Sequence, residues 1–234
     1  MNAKPLVHGL PDVRTGVPSE LARALEQDEC DLVAALSIGA TLERPQWRVL
    51  PSLGIGADGP VRTVMLLHKS PLSSIDRIAF DPASRTSNLL AQWIVQRASG
   101  TAPLVDPGSA NRVVIGDPAF THDPAEGTDL ADAWKQATGL PFVFAGWVAG
   151  GKLAQDQSRL LEIDAFLSLR HEAAMAAIEE IAHDQTVVHP AIAREYFRRH
   201  IQYRLDSRFR AGADRFATEL QQLGEGTGSV PWAC

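Results

Sequence analysis

Four consecutive residues, Ser84, Arg85, Thr86 and Ser87, combine three hydroxyls with one guanidinium at the start of a predicted helix. The first turn of a helix leaves backbone N–H groups unpaired and carries a partial positive charge, to which hydroxyls and a forked cation add further donors. This combination indicates a site for a carboxylate or a phosphate. An ordinary helix N-cap with a solvated arginine explains the same residues equally well, so the pattern leaves both interpretations open.

Three further polar residues lie where ligand sites gather in α/β folds. Thr63 enters a predicted strand at residues 61–68, where its hydroxyl either faces a cleft or reflects the preference of threonine for strands. Asp117 follows a predicted strand at residues 112–115, and it either contributes to a site or caps the next turn. Asn2 offers an amide that both donates and accepts hydrogen bonds, unless the terminus is disordered.

Motifs of several other enzyme classes are not found. No GxGxxG turn follows a predicted strand, and the sequence has no GxxxxGK[ST] loop, no GxSxG elbow and no HExxH pair. The seven histidines form no obvious triad, although His8 and His68 lie near the proposed cleft segments. Cys30 and Cys234 are far apart, and we interpret them as free thiols in a reducing compartment. These observations disfavour nucleotide binding and a structural zinc site.

The composition is ordinary for a globular protein. The chain has 234 residues, a formal net charge of −6 and no apolar run near the roughly 20 residues of a membrane span. The acidic balance disfavours nucleic acid as a partner, and the absence of a signal peptide pattern favours the cytoplasm. One dense basic cluster is typical of the solvated side of an amphipathic helix. It comprises Arg194, Arg198, Arg199 and Arg204, beside Tyr196, Phe197 and Tyr203.

Strand-like and helix-like segments alternate along the first two thirds of the chain. Predicted strands cover residues 31–36, 47–50, 61–68, 77–80, 112–115 and 142–148, and predicted helices cover residues 18–27, 86–98 and 129–138. This alternation predicts an α/β fold with mainly parallel sheets flanked by helices. From residue 157 to 223 we expect a helical C-terminal part, with one helix starting at Pro190 and a break at Gly212. The glycine-rich end is expected to fray.

The same stretches resemble the chorismate dehydratases of the futalosine route to menaquinone. The similar segments run in order along nearly the whole chain: NAKPL at residues 2–6, GVPSELARAL at 16–25, DGPVRTVML at 58–66, SRTSNLLAQ at 84–92, VVIGDPAF at 113–120 and DLADAWKQATGLPFVFAGW at 129–147. Any one of these segments alone is a weak signal. The succession of SRTS, IGD and TGLPFVFA is highly specific.

The resemblance implies a two-lobed fold like that of type II periplasmic binding proteins. Lobe 1 is expected at residues 1–66 and 148–234, lobe 2 at residues 67–147, and the ligand cleft between them. The implied substrate is the small molecule chorismate, the implied product is 3-[(1-carboxyvinyl)oxy]benzoate, and no metal or organic cofactor is implied. Family members also carry a first β-strand ahead of their cleft asparagine. Here Asn2 follows Met1 directly, so we expect either a start further upstream or a first lobe with one strand fewer.

The resemblance also implies roles for individual residues. The cleft asparagine of the family corresponds to Asn2 and its hydroxyl residue after GPVx to Thr63, and we expect both to contact the reacting part of the substrate. The carboxylate-binding turn corresponds to Ser84, Arg85, Thr86 and Ser87. The proton acceptor stays open between a substrate carboxylate and a route assisted by Asp117.

Two other functions fit parts of the sequence. One is the related synthase that makes 1,4-dihydroxy-6-naphthoate in the same pathway, although that relative has a different turn in place of SRTS. The other is a non-catalytic solute-binding protein, which normally carries a signal peptide. We expect a monomer or a homodimer that binds neither nucleic acid nor membrane.

Overall fold

The computed structural model describes residues 1–16 and 18–233, and it has an α/β fold built on three sheets. The strands are β1 (Leu32–Ser37), β2 (Arg48–Ala57), β3 (Val64–Leu67), β4 (Arg77–Ile78), β5 (Leu104–Val105), β6 (Arg112–Ile115), β7 (Gly127–Asp129), β8 (Phe142–Ala149) and β9 (Gln202–Arg204). The helices are α1 (Lys4–Val7), α2 (Pro18–Glu26), α3 (Ile38–Thr41), α4 (Arg85–Ser99), α5 (Leu130–Thr138), α6 (Gln157–Ala176), α7 (Ile178–His183), α8 (Pro190–Glu195) and α9 (Ser207–Gln222). The helices predicted at residues 18–27, 86–98 and 129–138 are therefore confirmed to within one residue at each end.

The larger sheets are antiparallel, so the prediction of mainly parallel sheets was wrong. One sheet has the order β1-β8-β2-β9 and another the order β6-β3-β7, with antiparallel neighbours throughout. Among the strands named above only β4 and β5 pair in parallel, and two isolated bridges, Val49–Trp232 and Ala79–Arg112, are parallel as well. In the four-stranded sheet, the reason is that β8, which comes far later in the chain, lies between β1 and β2. Those two strands run in the same direction, as a strand–helix–strand unit requires, but each pairs with a strand that runs the opposite way.

Strand β2 is longer and more central than the sequence indicates. We predicted a short edge strand at residues 47–50 that stops before Pro51, whereas β2 continues to Ala57 and pairs with both β8 and β9. Proline lacks an N–H and is tolerated here because the pairing with β8 shifts register between Val49 and Gly54. The glycines at 54, 56 and 59 match GxGxxG spacing, but they lie in and just after this strand with no helix behind them.

An aromatic cluster connects the helices to the larger sheet. The Trp134 ring on α5 lies 4.9 Å from that of Trp93 on α4, 5.4 Å from Phe142 on β8 and 5.7 Å from Phe216 on α9. The Trp134 side chain is completely buried. Each such aromatic pair adds roughly 0.5–1.5 kcal/mol to the free energy of area burial. The cluster therefore holds the body of α4, whose first turn carries Ser84 to Ser87, against β8.

The C-terminal part differs from a plain run of helices. Helix α8 starts at Pro190 as predicted, but the chain then makes one π-helical turn, Tyr196–His200, and enters strand β9. Tyr203 and Arg204 therefore lie on a strand, and Tyr196 and Tyr203 are buried. The four arginines of the basic cluster are exposed, as predicted, but they do not share one helix face, because Arg204 lies on β9.

The described part of the glycine-rich C-terminal segment is hydrogen-bonded to β2, contrary to the expected fraying. The N–H of Val49 donates to the Pro231 carbonyl over 2.8 Å, and the N–H of Ala233 donates to the Val49 carbonyl over 2.8 Å. The Trp232 indole donates to Asp214 over 2.9 Å. Val49 thus anchors the segment through its backbone. The thiol predicted at Cys30 is free, whereas Cys234 lies outside the described residues.

The division into lobes at residues 66 and 147 stays a prediction. The four-stranded sheet uses residues 32–57, 142–149 and 202–204, and the three-stranded sheet uses residues 64–67, 112–115 and 127–129. Every helix in the described part of the chain is too short or too polar to cross a lipid bilayer.

Gly212 does not break α9, contrary to the sequence-based expectation, but allows it to pack closely. A Cβ at this position would lie 2.0 Å from the carbonyl oxygen of Pro141. That oxygen belongs to the backbone just before β8 and cannot rotate away. The glycine is therefore required by contact distance and not by an unusual backbone angle.

We expect Gly212→Ala to lower the free energy of unfolding by about 2 kcal/mol or more, because the helix must move away from β8. Urea denaturation followed by circular dichroism measures this change. Ala211→Ser, at the exposed neighbouring position of the same helix, is the matched control and should change the value by less than about 0.5 kcal/mol. Equal stabilities for wild type and Gly212→Ala would contradict the close packing.

Candidate active site

A cavity of about 230 Å³ lies between the four-stranded and three-stranded sheets. Ile55 and Phe144 line it from the larger sheet, and Val64 and Ile115 line it from the smaller one. The polar side chains in its wall are those of Asn2, Ser37, Thr63, Ser84 and Ser87. The volume is slightly below the roughly 300–1,000 Å³ of pockets that enclose drug-sized ligands, so the cavity suits a small molecule.

Ser84 and Ser87 form the helix-end side of the cavity. Ser84 is the N-cap of α4, and its Oγ accepts hydrogen bonds from the Ser87 N–H at 3.3 Å and from the Ser87 hydroxyl at 3.1 Å. Because Ser84 Oγ acts as acceptor in both bonds, its own proton can be donated to a ligand. The first turn of α4 adds the partial positive charge of a helix N-terminus. This side of the cavity therefore favours an anionic group.

Thr86 is fully buried and joins α4 to the larger sheet. Its Oγ1 donates to the Phe144 carbonyl over 3.0 Å and accepts from the Gly39 N–H over 2.9 Å. Ser37 Oγ lies 2.5 Å from Thr86 Oγ1 and accepts from the Thr86 N–H over 3.1 Å. Because the Thr86 hydroxyl donates to the Phe144 carbonyl, the Ser37 hydroxyl must donate to Thr86 Oγ1. Ser37 Oγ then keeps one lone pair that can accept a hydrogen bond in the cavity.

Thr63 reaches the cavity through an unusual turn. The preceding residue, Arg62, has a φ of 66°, a left-handed conformation that costs a non-glycine residue roughly 1–3 kcal/mol. The Arg62 N–H donates to Asp129 Oδ2 over 2.7 Å, which holds the turn in place. Burial raises the pKa of the Asp129 carboxyl. Thr63 Oγ1 lies 2.7 Å from the hydroxyl of Tyr196, and both residues are buried.

Asn2 lines the cavity with an unsatisfied acceptor. Its Oδ1 is buried and has no hydrogen-bond partner among the described residues. A buried polar atom without a partner carries a free-energy cost of about 1–3 kcal/mol, which a bound donor would remove. The Asn2 backbone carbonyl, in contrast, accepts a hydrogen bond from the Tyr203 hydroxyl over 3.0 Å. The backbone of Asn2 is therefore held while its side chain is available to a ligand.

Three predicted site residues do not line the cavity. The Arg85 guanidinium pairs with Glu43 and with Glu225, the latter over 2.7 Å, and its side chain is partly exposed. Asp117 pairs with the amino group of Met1 over 3.2 Å. Thr86 also lies outside the lining and supports it from behind. The roles of Arg85, Thr86 and Asp117 in substrate binding stay predictions.

Three polar residues that lie in or beside the site were not identified as site residues from the sequence. Ser37 ends β1, where an apolar strand followed by serine gave a signal that we did not use. Tyr196 and Tyr203 contact Thr63 and Asn2 from more than 130 residues away in sequence, and only the tertiary structure reveals these contacts. Burial raises the pKa of both phenols, so both hydroxyls stay protonated and available as donors.

The cavity offers neutral donors and acceptors for an anionic ligand. Within the described residues, its lining holds no Lys, Arg, His, Asp or Glu side chain. The same part of the chain holds no group of three or more His, Cys, Asp or Glu residues placed to share a metal ion. Such a site can bind, orient and shield a substrate, and it leaves an acid–base step to the substrate or to groups outside the first layer.

Comparisons with known proteins place these features in a family. The model of the menaquinone biosynthesis family matches residues 1–222. A chorismate dehydratase of Campylobacter jejuni is 34% identical over 137 residues, which cover 57% of this chain and 52% of that enzyme. A chorismate dehydratase of Thermus thermophilus is 26% identical over 94% of this chain and 92% of that enzyme. The match thus spans about half the length of the first enzyme and nearly all of the second.

Solved structures show the fold. A protein of Archaeoglobus fulgidus superposes on this chain with a TM-score of 0.56 at 18% sequence identity. The superposition covers 91% of this chain and 86% of that protein's chain. The second structure is a ligand-binding component of an ABC-type import system from Staphylococcus aureus, with a TM-score of 0.55 at 10% sequence identity. This superposition covers 95% of this chain and 86% of that protein's chain. The α/β fold of the binding-protein type is thereby confirmed, as is the family expected from the sequence. The chain belongs to the menaquinone biosynthesis family.

Proposed function

We propose that this protein is a hydro-lyase that converts chorismate to 3-[(1-carboxyvinyl)oxy]benzoate and water. One observation carries the proposal. This chain belongs to the menaquinone biosynthesis family, and its cavity has a polar wall of hydroxyls and an amide beside a helix N-terminus. The two relatives described above are chorismate dehydratases. We place the reaction in the cytoplasm and assign the protein as a monomer or homodimer, which needs no metal or organic cofactor.

Substrate binding in this proposal uses the two sides of the cavity differently. The Ser84 hydroxyl, which accepts from the Ser87 hydroxyl and keeps its own proton free, binds one carboxylate together with the first turn of α4. Thr63 and Asn2 contact the part of the ring that reacts. Apolar residues on both sheets, such as Ile55 and Val64, exclude water from the ring.

The reaction itself is an elimination that makes the ring aromatic. A ring C–H bond breaks, its proton passes to a base and its electrons form a ring double bond. The neighbouring hydroxyl leaves as hydroxide with the electrons of its C–O bond, and it becomes water by taking up the proton from that base. Aromatisation supplies much of the driving force, so orientation and desolvation are the main tasks of the protein. A carboxylate of the substrate takes the proton, or Asp117 assists from behind the cavity wall. The Thr63 hydroxyl donates to the leaving oxygen.

Incubation of the purified protein with chorismate tests the proposal directly. We expect liquid chromatography to show loss of chorismate and appearance of the aromatic enol ether, in equal amounts. Binding by calorimetry without turnover would instead identify a solute-binding protein. Turnover of the cyclic futalosine derivative that the 1,4-dihydroxy-6-naphthoate synthase uses would identify that enzyme, and either result would reject the dehydratase.

We expect Thr63→Ala to lower kcat/KM roughly tenfold to a hundredfold, because a donor to the leaving group is lost. Thr63→Ser keeps the hydroxyl and should stay within about threefold of wild type. Thr101→Ala removes an exposed hydroxyl outside the cavity and is the control. Steady-state kinetics with chorismate measures the effect. An unchanged kcat/KM in Thr63→Ala would remove Thr63 from the mechanism.

We expect Ser84→Gly to raise KM about tenfold with a smaller change in kcat, because one donor to the substrate carboxylate disappears. Glycine is also an acceptable N-cap, so the helix loses only a few tenths of a kcal/mol and the fold is preserved. The melting temperature monitors that point. A variant with wild-type KM would show that this hydroxyl does not bind the substrate.

A further inference from the structure

One short segment, residues 196–204, passes behind the cavity and contacts three of the loops that form it. The Tyr196 hydroxyl lies 2.7 Å from Thr63 Oγ1, and the Tyr203 hydroxyl donates to the Asn2 carbonyl over 3.0 Å. Nδ1 of His200 lies 3.1 Å from the carbonyl oxygen of Pro60, in the turn that leads to Thr63. The Tyr196 ring also packs edge-on against Phe120, at 5.3 Å between centroids.

Both phenols are placed to hold neighbouring groups and not to react themselves. Tyr196 and Tyr203 are 1% and 3% exposed, and neither lines the cavity. Burial is the main cause that raises their pKa, so both act as neutral donors. When Tyr196 donates to Thr63 Oγ1, the Thr63 proton points elsewhere and is free for a ligand.

The local backbone explains how both rings reach the site. The Ile201 N–H donates to the Tyr196 carbonyl over 3.1 Å, closing a π-helical turn after α8. Single π-turns of this kind are frequent at functional sites. The turn ends the helix, and the chain enters β9, which the Gly56 and Leu53 pairings hold on the edge of the larger sheet. The two tyrosines are thereby anchored to the same sheet whose face forms the cavity wall.

We propose that Tyr196 and Tyr203 are positioning residues for the dehydration, Tyr196 by orienting the Thr63 hydroxyl and Tyr203 by holding Asn2 at the cavity. This inference rests on the proposed function. Its physical basis is that a displacement of about 1 Å in a group near the reacting atoms lowers a rate about a hundredfold. Carboxylate binding by Ser84 and the first turn of α4 does not depend on this segment, so the effect belongs to kcat and not to KM.

Kinetics of Tyr196→Phe and Tyr203→Phe, each combined with a change at its partner, tests the inference. We expect each single variant to lower kcat about tenfold and to change KM less than threefold. Tyr196→Phe should have no further effect in Thr63→Ala, and Tyr203→Phe none in Asn2→Ala, since the group being oriented is already gone. Additive losses in both double variants would show a general structural effect and overturn the inference.

Two additional measurements separate positioning from misfolding and from a wrong substrate. Thr138→Val removes one hydroxyl that donates to the Trp134 carbonyl, outside the cavity, and should keep the wild-type kcat. Amide hydrogen exchange should become faster at residues 59–67 in Tyr196→Phe and at residues 1–8 in Tyr203→Phe, with residues 130–138 unchanged. If wild type leaves chorismate unreacted, the proposed function fails, and so does the role of the two tyrosines in the dehydration. Exchange then tests only whether they hold the segments around Thr63 and Asn2 in place, and unchanged exchange would overturn that as well.

Discussion

The buried hydroxyl of Thr86 is the contact on which the cavity depends. It connects α4 to the backbone of β8 and of α3 and to the side chain of Ser37, with every donor and acceptor used. Such a satisfied buried network is rigid, because any movement leaves a polar group unpaired in a low-dielectric interior. The first turn of α4 and the end of β1 are therefore held at one distance, and Ser84, Ser87 and Ser37 share one cavity.

The opposite side of the cavity is held by a different kind of contact. Thr63 follows a left-handed residue, Arg62, and this strained turn is held by the half-buried Asp129 carboxylate and by the contact of Thr63 with Tyr196. Strain of this kind persists only where surrounding contacts determine the conformation. The cavity thus combines a rigid side on α4 with a side whose geometry depends on residues far away in sequence.

The absence of charged side chains from the described lining is consistent with an elimination that aromatisation drives. A neutral wall can still bind an anionic ligand, since its hydrogen bonds and the helix dipole interact more strongly with the ligand where water is excluded. The unpaired Asn2 Oδ1 is the one buried side-chain acceptor of this wall that lacks a partner. Arg85 does not line the cavity, because its guanidinium pairs with the carboxylates of Glu43 and Glu225 at the surface.

Local patterns in the sequence determined the helices α2, α4 and α5, because a helix depends on neighbours within one or two turns. The sequence also named Asn2, Thr63, Ser84 and Ser87 as candidate residues, and all four line the cavity. The sequence motifs also determined the family. Only the tertiary structure decided the antiparallel order of the sheets, the inner position of β2 and the two tyrosine contacts. Each of these depends on segments far apart in the sequence, and propensity and periodicity carry no information about which distant strands and side chains meet.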